Sequence, residues 1–357
     1  MSSVLHISHT FGVKGAGGAA VAATLRFLDD RRRGEDAWFA CVEDLVGDTE
    51  RVIKLPRSRI QLLWYHLMAW RINRWLMRLF NMPMDISLGL VSVGLKEMVR
   101  EIRPKHVFIH WIGRETLRYE ELLCLLSLPT KVRVTVILHD FSLVETPQFR
   151  KATCIDRWVL RRTRKVFERL SVDFEAPSQW AAKHIRDIWP NASVIVRPTI
   201  VNFDGMEGTK ISRHGIKWLL FGCHGGRNNP YKGFADLEKA LALLPDDVKR
   251  QCELHVFGES ADECETAGVK TVFHGSITKR KELFNLYRSS DALMFPSISE
   301  TQGLVKCEAL ACGLKVVAFN RAACAEGIDH MANGFVANTV EEFSQGIEWC
   351  LTSKGAK

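Results

Sequence analysis

The chain of 357 residues contains no Asp-x-Asp triplet, so the usual carboxylate clamp for a catalytic divalent metal is missing. Its ten cysteines include no Cys-x-x-Cys pair, a scatter that fits free thiols in a reducing compartment better than a disulfide framework or a zinc site. No uninterrupted apolar stretch approaches the roughly 20 residues needed to span a bilayer. No basic-then-apolar leader precedes the strand-like run Val4-Leu5-His6-Ile7, so no secretory signal is expected. Acid is scarce in one place: from Arg51 to Met84 there are seven Lys and Arg, and no Asp or Glu until Asp85. No recognised nucleic-acid-binding motif accompanies that stretch, and no nucleic-acid partner is expected.

What is present is the composition of a soluble globular protein, 46% apolar and 25% charged, at a length that suits two domains with a core each. The net charge of +8 is unevenly placed. Residues 1–200 hold 31 Lys and Arg against 21 Asp and Glu, and the remainder holds 18 against 20. Such asymmetry suggests that one lobe meets a polyanionic surface.

The most informative stretch is Asp291 to Asn320. An apolar run, Ala292–Phe295, is halted by Pro296 and reads as a buried strand. A polar loop, Ser297–Gln302, leads into a helical pattern from Gly303 to Cys312 that Gly313 stops. Lys315–Phe319 is a second β-rich run, which completes a βαβ unit with a glycine where the helix begins. Helix starts of that kind bind phosphate. Glu300 in the loop and Glu308 on the helix can both face one pocket outside the strand's carboxyl end, where open α/β sheets bind ligands.

In the first lobe, Val4–Ser8 reads as a strand followed by the glycine-rich Gly12–Ala20 and a helix to about Arg33. Gly17 and Gly18 there either make a tight turn or let the backbone approach a phosphate. Strands at His106–Trp111 and Val132–His139, with a helix between them near 115–126, predict a parallel doubly wound sheet. His110 and His139 stand at strand ends and are either structural or turned to a ligand. Arg57–Phe80 interleaves Trp64, Tyr65, Trp70, Trp75 and Phe80 with Arg71, Arg74 and Arg78. That pattern suits either a helix in an anionic bilayer interface or a lobe helix with buried tryptophans and solvated arginines. The run Arg161–Lys165 reads as a solvated helix face adding to the same basic charge. The polar segment from Arg197 to Gly215 reads as an interdomain hinge. Beyond it, Lys217–Phe221 starts a second sheet, and a loop holding Arg227 and Lys232 precedes an amphipathic helix to Leu244. A lysine at such a helix start sets an ammonium against a diphosphate or simply points to solvent.

Pro296-Ser297-Ile298-Ser299-Glu300-Thr301-Gln302-Gly303-Leu304, then Glu308-Ala309-Leu310-Ala311-Cys312-Gly313, resembles the signature of the retaining glycosyltransferase family 4, which has the two-Rossmann-domain (GT-B) fold. The sequence departs from that pattern at Gln302, where the family usually has an aromatic residue. It departs again at Arg321–Gly327, where a glycine-rich turn and Pro-Glu are usual. The resemblance implies an α/β protein with two Rossmann-like, doubly wound domains facing a central cleft. Residues 1–200 would form the acceptor-side domain and 201–338 the nucleotide-sugar-binding domain, with a helix in 339–357 that can cross back to the first. It implies retaining, front-face transfer of a sugar from a nucleoside diphosphate donor to a hydroxyl of a glycan or lipid-linked acceptor. The roles expected are envelope polysaccharide, exopolysaccharide or lipopolysaccharide synthesis, without cofactor or metal.

By the same resemblance Lys232 and Arg227 grip the pyrophosphate, aided by the backbone amides of Gly303, Leu304 and Val305. Gly275 lies beside the base, Glu300 binds donor-sugar hydroxyls and Glu308 the ribose hydroxyls. Gly17 and Gly18 meet the donor phosphate or the acceptor. His139 orients the sugar, and His110 stands near the acceptor. Lys232, Glu300 and His139 make the expected catalytic set. The expected location is cytoplasmic, peripheral on the inner face of a membrane through Arg57–Phe80. Two alternatives stand beside this reading: a nucleotide-sugar epimerase on the same fold, and a membrane-surface binding protein with a decayed donor site.

Overall fold

The computed structural model describes residues 3–13, 18–47, 49–79, 88–145, 151–201, 203, 205–209, 211, 215–222 and 225–352, with the backbone alone at 69, 70, 73, 76, 77 and 230. The chain divides into two compact units, Met1–Ile200 and Val201–Lys357, within the polar segment read as a hinge.

The strands of the first unit are β1 (Ser3–Ile7), β2 (Thr10–Phe11), β3 (Asp36–Cys41), β4 (Glu43–Asp44), β5 (Val52–Lys54), β6 (His106–Ile109), β7 (Arg133–Ile137), β8 (Asp173–Ala176) and β9 (Val194–Val196). Seven of them form one sheet in the order β5-β3-β1-β6-β7-β8-β9, every pairing parallel. β2 and β4 make a separate short parallel pair. The helices are α1 (Gly18–Arg32), α2 (Arg59–Tyr65), α3 (Asn73–Leu79), α4 (Leu95–Ile102), α5 (Cys154–Leu170) and α6 (Gln179–Ile188). The order reverses between β1 and β6, the switch point at which a doubly wound sheet opens a crevice. Both faces of such a sheet are covered, so its strands are near-continuous apolar runs, as Leu5, Ile7, Val107, Ile109, Val134 and Val136 show.

In the second unit the strands are β10 (Lys217–Gly222), β11 (Cys252–Phe257), β12 (Cys264–Thr266), β13 (Val269–Phe273), β14 (Ala292–Phe295), β15 (Lys315–Phe319) and β16 (Gly334–Ala337). Their order is β12-β13-β11-β10-β14-β15-β16, all parallel except the β12 edge, and the switch point lies between β10 and β14. Helices α7 (Phe234–Ala242), α8 (Asp246–Lys249), α9 (Arg280–Ser289), α10 (Leu304–Ala311) and α11 (Val340–Thr352) accompany them. Every buried apolar cluster is confined to one unit, so each has its own core.

Several local readings change in the structure. The stretch read as a helix near 115–126 is a nine-residue 3-10 segment, Tyr119–Ser127. Its buried side chains, Tyr119, Leu122 and Leu125, recur every third residue, and a 3-10 helix stacks that spacing on one face. In the closing helix, Phe343, Ile347 and Cys350 pack with Val317 and Phe319 in the core of the second unit. Within the run Arg161–Lys165, Arg162 is not a solvated charge. It forks onto Glu120, with Nη2–Oε2 2.6 Å, and donates to the carbonyls of Leu88 and Gly89.

The Trp/Arg stretch starts on a Ser58–Gln61 capping box, in which each side chain satisfies the other's backbone N–H. It runs through α2, a π-helical segment His66–Ile72, and α3. Tyr65 is buried, but Ile60, Leu63, Trp64, Trp75 and Leu79 are each more than half exposed. Arg71, Arg74 and Arg78 are exposed as well. The lobe-helix reading, with tryptophans packed inward, does not describe Trp64 or Trp75. Phe80 and the side chain of Trp70 lie outside the described residues. No described helix is long and apolar enough to cross a membrane.

Candidate functional site

The second unit gathers most of the expected donor residues at one edge. Because β13, β11, β10 and β14 are parallel neighbours, the loops after their carboxyl ends emerge side by side. Lys232 follows β10 and Glu300 follows β14, the two strands that flank the switch point, and Lys232 Nζ donates to Glu300 Oε1 at 2.6 Å. Two local features bring these loops together. Ile298 N donates to Tyr231 O at 2.8 Å. Gly233 has φ +66°, and a Cβ built on it would lie 2.1 Å from Pro296 O, so only glycine permits this approach. Lys232 ends a short 3-10 turn, Pro230–Lys232, with Gly233 as the cap of α7.

Gly303 caps α10 with φ +80°, and a Cβ there would meet the Phe295 ring at 2.7 Å. The backbone of Gly303, Leu304 and Val305 thereby starts a helix beside the Glu300 loop, and the amide ends of such a helix favour an anion. Glu308, four residues into α10, is buried and already engaged. It accepts from Arg280 Nη2 at 2.7 Å and from Tyr287 Oη at 2.9 Å, both on α9. Burial first, and then Glu308, push the Tyr287 hydroxyl well above its ordinary pKa, so it stays a donor.

Arg227, on the same loop as Lys232, is engaged by a different carboxylate. It pairs with Glu259, Nη2–Oε1 2.9 Å, and lies 4.5 Å above the Phe273 ring. That pairing with Glu259 raises its pKa. Gly275 sits at the neighbouring strand end with φ +65°; its carbonyl accepts from Gly258 N, and its N–H donates to Glu259 O. Arg227, Glu259 and Gly275 thus form a second cluster, after β11 and β13.

Sequence reasoning missed Lys306, which sits inside the family-like segment and is 1% exposed. Its Nζ donates to Ala323 O at 2.7 Å and Glu326 O at 2.6 Å, and burial lowers its pKa. Cys324 Sγ reaches Ser297 O at 3.4 Å, and Ala323 N donates to Glu300 O at 3.2 Å. The segment Arg321–Gly327, where the family pattern is departed from, is therefore bonded to the loop that carries Glu300. An apolar-looking helix interrupted by one lysine was the available signal.

In the first unit His110 and His139 follow the adjacent strands β6 and β7, and His110 Nδ1 lies 3.1 Å from His139 Nε2. They line one pocket with Arg26, Glu175, Arg197 and Pro198. Arg26 reaches Glu175 Oε1 at 3.2 Å, and Arg197 reaches Oε2 at 3.3 Å. Burial outweighs these arginines and raises the Glu175 carboxyl. Burial lowers His139 to about 4 and takes His110 well below its ordinary value, so both rings are neutral near pH 7. Arg26 and Glu175 carried no motif and were not legible as pocket residues. Gly18 is the first residue of α1, while Gly17 lies outside the described residues. Among the described residues no group of three His, Cys, Asp or Glu side chains is placed to hold a metal ion.

Residues 219–353 match the family described as Glycosyl transferases group 1. No curated protein matches the chain in sequence. Solved structures resemble it over nearly its full length. WaaG, a glycosyltransferase involved in lipopolysaccharide biosynthesis, is 14% identical, with 98% of this chain and 90% of that chain covered and a TM-score of 0.62. Sucrose-phosphate synthase from Thermosynechococcus elongatus is 14% identical over 99% and 90%, at a TM-score of 0.67. HepE from Anabaena, in complex with UDP-glucose, is 16% identical over 99% and 90%, at 0.64. At these identities the likeness to the solved structures is one of fold. The family match over residues 219–353 thus places glycosyl transferases group 1 sequence on the second of two doubly wound, seven-stranded sheets, in a chain with the two-Rossmann-domain GT-B fold.

Proposed function

We propose that the protein is a retaining glycosyltransferase that moves a sugar from a nucleoside diphosphate donor to a hydroxyl of a glycan or lipid-linked acceptor. The observation that carries this reading is the Lys232–Glu300 pair, 2.6 Å apart beside the glycine-started helix α10. An ammonium and a row of backbone amides suit a leaving diphosphate, whose charge grows as the glycosidic bond breaks. A carboxylate beside them suits donor-sugar hydroxyls. HepE, of the same fold, was solved with UDP-glucose, which supports a nucleotide-sugar donor. Lys232 and the α10 amides supply the charge stabilisation, and the reaction runs without a metal or cofactor. Glu308 meets the ribose hydroxyls after exchanging part of its bonding with Arg280. Arg227 reaches the pyrophosphate only by leaving Glu259.

The acceptor belongs to envelope polysaccharide or lipopolysaccharide assembly, a reading that WaaG supports by its fold and role. The exposed Trp64, Trp75 and Leu79 with Arg71, Arg74 and Arg78 dock the first unit on the anionic inner face of a membrane. The test is a screen of UDP-, GDP- and ADP-sugars for thermal stabilisation, followed by transfer assays with the stabilising donor in the presence of EDTA. Anomeric retention is read by NMR of the product. Donor consumption without any acceptor points instead to an epimerase. Co-sedimentation that does not depend on anionic lipid removes the membrane part alone.

A further inference from the structure

A row of three imidazoles runs across the ends of β1, β6 and β7. His6 Nδ1 lies 3.1 Å from His110 Nε2, and His110 Nδ1 lies 3.1 Å from His139 Nε2. The rings are stacked at 5.4 Å between successive centroids. His6 and His110 are 0% and 1% exposed. At the far end His6 Nε2 is 3.2 Å from Asp30 Oδ2 on α1, a close contact to the carboxylate whose angle falls outside hydrogen-bond geometry. Phe39 and Phe108 lie parallel to the His6 ring and Phe27 edge-on, so that ring cannot turn freely.

Each nitrogen–nitrogen bridge holds one proton, and the carboxylate decides on which side. Burial alone would raise the Asp30 carboxyl, but His6 and Arg26 together hold it below its ordinary range. It is therefore an acceptor only, and a lone pair on His6 Nε2 would be repelled by it. His6 must carry its proton on Nε2, which leaves Nδ1 to accept. His110 then donates from Nε2 and accepts at Nδ1, and His139 donates from Nε2. Burial keeps all three rings neutral, so none escapes the constraint by carrying two protons.

We infer that Asp30, His6 and His110 are positioning residues that lock His139 as its Nε2–H tautomer, so that its Nδ1 can only accept a hydrogen bond and a substrate hydroxyl is the group that suits it. A ring set this way accepts from a sugar O–H and does not donate to a phosphate or carbonyl oxygen. The substrate consequence rests on the glycosyltransferase reading; the tautomers do not. No proton need pass along the row.

The experiment uses the full chain labelled with 15N-histidine, with two-bond 1H–15N spectra near pH 7.5 assigned through single-histidine variants. His6, His110 and His139 are expected as Nε2–H tautomers. Asp30→Asn can offer an amide N–H to His6 and reverse the row, so His139 should acquire a substantial Nδ1–H population. Turnover should fall about 10- to 100-fold, in the direction seen when a triad aspartate becomes asparagine in serine proteases, with donor KM nearly unchanged. Should that variant not fold, His6→Phe places an apolar ring among Phe27, Phe39 and Phe108 and cuts the row. His6→Gln, which can accept from His110 and donate to Asp30, should return most of the turnover lost in His6→Phe. A wild-type His139 found as Nδ1–H overturns the inference. So do Asp30→Asn and His6→Phe variants that keep both the tautomer and kcat. Wild-type spectra as expected, with no sugar transfer from any donor, support the row and reject the transferase reading.

Discussion

At the scale of single residues, the site is a set of charges that already have partners. Lys232 and Glu300 hold each other, Glu308 holds Arg280 and Tyr287, and Arg227 holds Glu259. Lys232→Ala should lower kcat/KM by about 100- to 1000-fold, the scale of removing one preorganised donor to developing charge, while the melting temperature moves little. Steady-state kinetics beside a thermal scan check this. Glu308→Gln is a less clean probe than the sequence suggests. It removes a buried carboxylate from Arg280, so a stability loss of about 1–3 kcal/mol should accompany the loss of turnover. Lys306→Met keeps volume but removes the ammonium that donates to the carbonyls of Ala323 and Glu326, leaving Ala323 O with only the weaker bond from Glu326 N. Denaturant unfolding should register a loss of about 2–4 kcal/mol, with weaker donor binding because the Glu300 loop is bonded to the same segment.

At the scale of elements, glycines set the distances. Gly233→Ala would place a methyl 2.1 Å from Pro296 O at a positive φ. The loop must shift, and Lys232 moves with it. A stability loss of about 1–3 kcal/mol should come with a fall in donor affinity, read by calorimetry. This contact was illegible in the sequence, because Gly233 and Pro296 are 63 positions apart and only the β10–β14 pairing makes them neighbours. The βαβ unit from Ala292 to Phe319 was legible, since its apolar runs, helix period and stopping glycine lie within 30 residues and agree with one another. Arg162 shows the opposite case. A run of four basic residues in five looks solvated, yet its second member turns inward because Glu120 and two carbonyls await it there. His6 and Asp30 were invisible for the same reason: their partners lie on other strands, and no local pattern marks a histidine as one of a row.

At the scale of the whole molecule, the first unit concentrates neutral histidines. His106 and His139 have pKa values lowered to about 4, and His6 and His110 are lowered too, with burial the leading cause throughout. The unfolded chain takes up these protons near pH 6.5, while the folded chain resists until about pH 4. Stability is therefore full above pH 6.5 and declines as the pH falls toward 4. A melting temperature lower by at least about 5 °C at pH 5 than at pH 7.5 is expected, and a calorimetric pH series tests it. His6→Gln and His106→Gln should each flatten that slope. That each half holds a doubly wound sheet was readable from alternating strand and helix patterns. Which loops meet at each reversal of strand order was not, because register is set by the packing of whole strands. The separate cores carry one more consequence. A nucleotide seated on Lys232 and Glu300 touches side chains rooted in one hydrophobic interior, so its binding energy adds directly to the cohesion of that half. Heating the protein with and without UDP should show two transitions drawing apart, the nucleotide-holding half melting later and the histidine-rich half keeping its place.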